Sequence, residues 1–253
     1  MSDKNYILSI AGFDPSSGAG ITSDIKTFEA HNLYGLSICT AITVQNDITF
    51  KKCYWVEKEI IISQIETLFE RFDIKVAKIG IIESWEVLLE VVQTLKIFNS
   101  DIKIILDPIL KASAGFDFHA NSDLEVFERV LQNCDFVTPN YEEIKSLFPN
   151  KSTEETIEFL SEKTNVYLKG GHREDKKGWD EVYHNKIVKL NIPPIADAIF
   201  EKHGSGCVLS SAFAANLYKE ASIEDAAKNA KAYTEEFLNS NPSLLGNHQY
   251  YDK

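Results

Sequence analysis

Short β-branched runs alternate with longer amphipathic ones along most of this chain, and that alternation leaves few folds open. Tyr6–Ile10 reads as a buried strand, stopped by Gly12 and the turn residues Asp14-Pro15-Ser16-Ser17-Gly18. Ile21–His31 follows as a helix with Ile21, Ile25 and Phe28 on one face. Leu36–Val44, Ile74–Ile79, Ile102–Leu106, Phe136-Val137 and Val166–Leu168 supply further strands. Glu57–Phe72, Ser84–Phe98, Asp123–Gln132, Tyr141–Leu147, Thr153–Lys163, Cys207–Tyr218 and Ile223–Leu238 read as helices, and Trp179–Asn191 alternates about His184-Asn185 as an antiparallel hairpin does. Strands and helices in this order build an α/β fold, a doubly wound, mostly parallel sheet with helices on both faces. The 253 residues fit a single domain, 1–253, and no insertion is long enough for a separate lid domain.

Composition narrows the function. Hydrophobic residues make up 44%, enough for a substantial core and too many for a disordered chain. The net charge of −12 argues against a broad nucleic-acid surface, which needs clustered lysine and arginine. A phosphate-bearing ligand remains compatible, because a few placed cations and amides hold one locally. Cys39, Cys53, Cys134 and Cys207 show neither C-x-x-C spacing nor histidines at metal-ligand intervals, so reduced thiols are expected. The run Tyr6–Ala11 is too short for a signal peptide, and no apolar run approaches the ~20 residues that span a bilayer. A soluble cytoplasmic protein without a membrane partner is expected.

A parallel sheet binds ligands beyond the carboxyl ends of its strands. At those ends stand Gly12 with Asp14, Gly18-Ala19-Gly20, Gln45-Asn46, Lys78-Ile79-Gly80, Asp107-Pro108, Asn140 with Glu143, and Lys169-Gly170-Gly171-His172. Gly204-Ser205-Gly206-Cys207 then opens onto the helical stretch ending at Tyr218. Glycines flanking a serine let the backbone bend around a ligand, and free amides at a helix start attract an anion. A cysteine at that start is expected to have its pKa pulled down, favouring thiolate. The first glycine turn is not a dinucleotide fingerprint: the third glycine is missing, Gly18-Ala19-Gly20 being followed by Ile21, Thr22 and Ser23, and Thr40 stands where an acidic ribose ligand belongs. That broken fingerprint disfavours a nucleotide-dependent reductase, and no G-x-x-x-x-G-K-[ST] occurs, so a P-loop is absent.

The stretches Ser9–Asp24, Thr43–Asn46, Lys78–Gly80, Leu106–Pro108, Thr138–Glu143, Leu168–His172 and His203–Ser211 occur in order. Together they resemble the hydroxymethylpyrimidine/phosphomethylpyrimidine kinases of the ribokinase-like superfamily. The resemblance runs from about residue 6 to residue 218. It implies a ribokinase-like kinase of thiamine biosynthesis that uses ATP and Mg²⁺. Such enzymes phosphorylate the hydroxymethyl group of 4-amino-5-hydroxymethyl-2-methylpyrimidine and then its monophosphate. By position, Asp24 and Gln45 would pair with the aminopyrimidine, with Gly12 and Gly80 also at the substrate. Cys207 would act as base or orient the alcohol. Gly204, Ser205 and Gly206 would give amides to the phosphoryl group, and Lys169 would neutralise phosphate oxygens. Asp107 and Glu143 would hold Mg²⁺ largely through water, Asn140 would orient this cluster or the phosphates, and a homodimer is implied. His203 receives no chemical role.

Three positions depart from the family pattern. Ile81-Ile82 replaces a usual methionine, Glu201-Lys202 an Asn-Thr pair, and Ser113-Ala114 a Lys-Ser or Thr-Ser pair. These departures leave open whether the second phosphorylation is retained. A pyridoxal or pyridoxine kinase would perform the same reaction on another ring. A catalytically silent pyrimidine-binding protein is a third reading, disfavoured by the intact set Asp107, Glu143, Lys169 and Cys207.

Overall fold

In the computed structural model, residues 5–109, 124–171, 173, 176–185, 188–196 and 200–250 are described. Ser113-Ala114, Asp123 and His172 lie outside them. The chain runs β1 (Tyr6–Phe13), α1 (Gly20–Ala30), β2 (Tyr34–Gln45), β3 (Phe50–Trp55), α2 (Lys58–Phe69), β4 (Ile74–Ile79), α3 (Trp85–Phe98) and β5 (Lys103–Leu106). It continues through α4 (Leu124–Leu131), β6 (Phe136–Val137), α5 (Tyr141–Leu147), α6 (Thr153–Lys163), β7 (Asn165–Leu168), β8 (Asp180–His184), β9 (Val188–Ile192), α7 (Ser205–Tyr218) and α8 (Ile223–Leu238).

The nine strands form one sheet in the order β3-β2-β1-β4-β5-β6-β7-β8-β9. The run β2-β1-β4-β5-β6-β7 pairs in parallel, and antiparallel β3 and the β8–β9 hairpin extend the two edges. The interior of β1, Ile7 to Gly12, is buried throughout, as expected for a central parallel strand covered on both faces. One apolar cluster packs Leu8, Ile10, Ile38 and Ile79 against Ile61 and Ile65 of α2 and Leu88 and Val92 of α3. The other packs Ile7, Val76, Ile105 and Tyr167 against Phe28 of α1, Phe213 of α7 and Tyr233 of α8. Among the described residues no helix is long and apolar enough to cross a membrane.

The mostly parallel, doubly wound sheet and the terminal hairpin agree with the sequence pattern. Two differences matter. Strand β3 was not expected: Phe50-Lys51-Lys52-Cys53-Tyr54-Trp55 carries two lysines and little burial, as an edge strand can. Helix α7 starts at Ser205 rather than Cys207, so Cys207 is its third residue and lies inside the first turn.

Candidate active site

The chain leaves β1 toward β2 on one side and later returns with β4 on the other. A doubly wound sheet opens a crevice at such a reversal, beyond its strand ends. Gly12 is the penultimate residue of β1, and Gly80 follows β4, its N–H donating to the Ile10 carbonyl at 2.8 Å. Gln45 closes β2, partly exposed, and among the described residues its side-chain amide has no hydrogen-bond partner.

Helices α1 and α7 both start without a side-chain cap, α1 behind Ala19 and α7 behind Gly204. Gly204 has a φ of +77°, and a Cβ there would lie 2.0 Å from the Gly18 carbonyl oxygen. The two glycine turns therefore touch through backbone, in a conformation that suits only glycine. Asp14 locks the contact. Its carboxylate accepts from the Ser16, Gly18 and Ala19 amides and the Ser16 hydroxyl, and lies 2.9 Å from His203 Nε2. Burial would raise the Asp14 pKa, but the His203 ring, Ser16 and the Ala19 amide outweigh it and hold the carboxyl below its ordinary range. Asp14 and His203 thus join the two turns, a role the sequence alone had not shown.

A second cluster stands beside the first turn of α7. A Cβ on Gly206 would lie 3.3 Å from Lys169 Nζ, so this ammonium sits against the amides of the helix start. Lys169 donates to Asp107 Oδ1 at 2.7 Å and lies 3.8 Å from Glu143 Oε2. Asp107 Oδ2 also accepts from Ser210 Oγ at 3.1 Å. Asn140 caps α5: its side-chain oxygen accepts the Glu143 amide at 2.9 Å, and Glu143 Oε2 accepts the Asn140 N–H at 2.7 Å. Burial and the Asp107 charge push the Glu143 carboxyl up to about 7, against the pull of Lys169 and the Asn140 amide. Burial alone would lower the Lys169 pKa, but Asp107 and Glu143 raise it, so the lysine stays charged. Asp107, Asn140, Glu143, Lys169 and the Gly204-Ser205-Gly206 turn are therefore brought together.

Asp24 is a correction. It was expected to face the ligand; instead its side chain is 0% exposed and forms an ion pair with Lys78, also 0% exposed. Lys78 Nζ lies 3.0 Å from both carboxylate oxygens, Ser9 Oγ donates to Oδ2 at 2.7 Å, and Ser211 Oγ donates to Oδ1 at 2.7 Å. The carboxylate turns toward the sheet because a lysine inside apolar β4 needs a counterion. That lysine, set between Val76 and Ile79, was the available signal.

Cys207 also behaves differently from expectation. It is 7% exposed, and burial pushes its thiol up to about 11. Asp107 and Asp24 add to the rise, while Lys78 and the Gly20 amide offset only part of it. Without ligands it is a thiol at neutral pH, not a thiolate.

The family model described as phosphomethylpyrimidine kinase matches residues 14–252. A hydroxymethylpyrimidine/phosphomethylpyrimidine kinase of Aquifex aeolicus is 32% identical, over 97% of this chain and 98% of the relative. The crystal structure of a phosphomethylpyrimidine kinase from Clostridium difficile superposes with a TM-score of 0.76 at 30% identity, covering 92% of this chain and 99% of that one. A Staphylococcus aureus pyridoxal kinase reaches a TM-score of 0.84 at 22% identity, over 100% of this chain and 96% of that one, which speaks for the fold. Sequence and architecture agree along nearly the whole length, and the chain belongs to the phosphomethylpyrimidine kinase family.

Proposed function

We propose that this protein uses ATP to phosphorylate the hydroxymethyl group of 4-amino-5-hydroxymethyl-2-methylpyrimidine, and then the resulting monophosphate, in thiamine biosynthesis. The observation that carries this reading is the meeting of the uncapped start of α7 with Lys169 at the sheet's carboxyl edge. Uncapped helix-start amides beside a buried ammonium suit a phosphoryl group whose charge shifts during transfer.

The acceptor ring is placed at the reversal between β1 and β4, with Gly12 and Gly80 at its floor. The unpartnered Gln45 amide can both donate to and accept from an aminopyrimidine. Asp24 acts beneath this pocket by holding Lys78, not by touching the ring. The amides of Ser205, Gly206 and Cys207 receive the transferring group, and Lys169 neutralises its oxygens. Gly204 keeps the turn open for the phosphates, and Asn140 orients Glu143 beside them. Cys207 orients the alcohol as a neutral thiol. Since a pKa of about 11 makes it a poor acceptor at neutral pH, the alcohol proton passes to a phosphate oxygen.

Mg²⁺ fits this cluster. Among the described residues no three His, Cys, Asp or Glu side chains are arranged to hold a metal directly. Two oxygen-bearing carboxylates, Asp107 and Glu143, match an ion that keeps most of its waters. Glu143, held near neutrality by burial, is a carboxyl short of positive charge. Bound there, Mg²⁺ would neutralise charge on the phosphates of ATP.

We also propose a cytoplasmic homodimer. Free Cys39, Cys53, Cys134 and Cys207 suit a reducing compartment. Exposed Ile42, Val44 and Tyr54 line the outer face of β2 and β3, which a second copy would cover. Single-turnover assays with ATP and either the pyrimidine alcohol or pyridoxal, followed by product mass, test the activity. Pyrimidine mono- and diphosphate masses are expected; phosphorylation of pyridoxal with none of the pyrimidine would overturn the substrate assignment. Sedimentation at micromolar concentration tests the dimer.

A further inference from the structure

A buried charge cluster that the proposed chemistry does not use lies at the β7–β9 side of the sheet. Lys231 of α8 is 6% exposed. Its Nζ donates to the Gly178 carbonyl at 2.6 Å and lies 3.2 Å from Asp180 Oδ2 and 3.4 Å from Glu235 Oε1. Each carboxylate holds a backbone segment in turn. Asp180 Oδ1 accepts the Gly170 N–H at 2.7 Å, and its Oδ2 accepts the Tyr167 hydroxyl at 3.1 Å. Glu235 Oε2 accepts the N–H groups of Ile195 and Ala196 at 2.8 and 2.7 Å. Glu235 Oε1 is buried without a hydrogen bond, so Lys231 holds it by charge alone. Burial raises the Asp180 carboxyl, and Lys231 is the first of the groups that pull it back.

The segments so held matter by position. Gly170 follows Lys169, and the space beside Gly171 is open. Residues 195–196 lie on the path from β9 to the Gly204 turn. In-line phosphoryl transfer puts donor and acceptor on opposite sides of the moving group. With the acceptor at β1, β2 and β4, the nucleotide must approach from the β7–β9 side.

We infer that Lys231 is a positioning residue for the nucleotide half of the site. It touches no reacting atom. It holds the Asp180 and Glu235 carboxylates in place, and through them fixes the backbone at Gly170 and at 195–196. Without the ammonium, two buried carboxylates share one small volume uncompensated, and their repulsion moves the backbone groups they hold.

The inference rests on the kinase reading, and the experiment separates the two. ADP affinity is measured by calorimetry, and KM is measured for ATP and for whichever alcohol the wild type phosphorylates. If the wild type binds no ADP, the kinase reading fails. If it does, Lys231→Met should raise the ADP Kd and the ATP KM by about tenfold or more, with the alcohol KM changed less than about threefold. Adding Glu235→Gln removes one uncompensated charge while keeping an oxygen for Ile195 and Ala196, and should recover much of the lost affinity. A general packing role would instead add a second loss. An unchanged ADP Kd, an equal rise in both KM values, or a double variant weaker than the single would overturn the inference. Should Lys231→Met fail to fold, Glu235→Gln alone decides. Its ADP Kd should rise about threefold with the alcohol KM constant, and an unchanged Kd or equal changes in both refute it.

Discussion

The buried ion pair of Asp24 and Lys78 yields a quantitative prediction, because both are fully buried and each depends on the other. At 3.0 Å and an effective dielectric near 20, their attraction is about 5 kcal/mol, against which both have lost their hydration. Removing one partner forfeits the attraction and leaves the other charge buried, a loss of about 3–5 kcal/mol. Total stability for a domain is about 5–15 kcal/mol, so the loss is severe. For a chain of this length each kcal/mol lowers Tm by about 2–4 °C, giving an expected fall of about 6–20 °C for Lys78→Met or Asp24→Asn. In the double variant no charge is stranded, and the asparagine oxygen still accepts from one of Ser9 and Ser211 while its amide N–H donates to the hydroxyl of the other. Its Tm should therefore lie well above that of either single variant, a coupling that additive effects cannot produce. Thermal melts of the four proteins, with pyrimidine affinity measured well below the lowest Tm, make the test. If Asp24→Asn melts within about 2 °C of wild type while pyrimidine affinity drops tenfold, Asp24 contacts the ring and the buried-pair argument is wrong.

Other groups give sharper functional signatures. Gln45→Ala should weaken pyrimidine binding about ten- to hundredfold, the cost of leaving a buried ring polar group unpaired, while ADP binding stays constant; equal pyrimidine affinity would remove Gln45 from the pocket. Glu143, with its pKa raised to about 7, must release a proton before it can help hold a cation. Mg²⁺-dependent nucleotide affinity should therefore fall as pH drops below about 7, and Glu143→Gln should flatten that slope in calorimetric titrations. Without ligand the sign for folding is opposite: the folded state favours the proton, so this group's contribution to stability declines as pH rises from 4.5 to about 7. Gly204→Ala should abolish turnover, since its Cβ would collide with the Gly18 carbonyl, and a wild-type rate would show that the two turns can separate freely.

Much of the architecture was legible because parallel strands buried on both faces produce plain apolar runs, such as Ile7-Leu8 and Ile104 to Leu106. The strand ends then located Gly12, Gly80, Asp107, Asn140, Glu143 and Lys169 at one edge. What escaped has physical reasons. β3 is amphipathic in the wrong sense for a core strand, with Lys51 exposed and Lys52 facing outward beside Tyr54. Gly204-Ser205-Gly206 looks like a loop because glycine is a weak helix former, yet the helix already begins at Ser205. Asp24 looks like a first-turn carboxylate until Lys78, 54 residues later, is folded against it.

Cys207 shows why local sequence chemistry needs the fold to weigh it. A helix start stabilises a neighbouring anion by about 0.3–1 kcal/mol, up to about 2 in buried geometry, and so can lower a thiol's pKa by about one and a half units at most. Against this the structure sets near-complete burial with Asp24 and Asp107 close by, and the thiol rises to about 11. The balance falls on the side of burial. At pH 7 only about one Cys207 in ten thousand is then thiolate, whereas an unperturbed thiol near 8.5 is ionised to about 3%. Alkylation of Cys207 should accordingly run at least a hundredfold slower than that of a free thiol and quicken about tenfold per pH unit up to pH 10. Cys207→Ser keeps a hydroxyl in place of a neutral thiol, so it should preserve phosphoryl transfer within about tenfold in single-turnover measurements. Rapid alkylation at pH 7 blocked by the pyrimidine, together with a thousandfold loss in the serine variant, would mean that substrate binding creates a thiolate base. Burial in the ligand-free fold would then not govern the reaction.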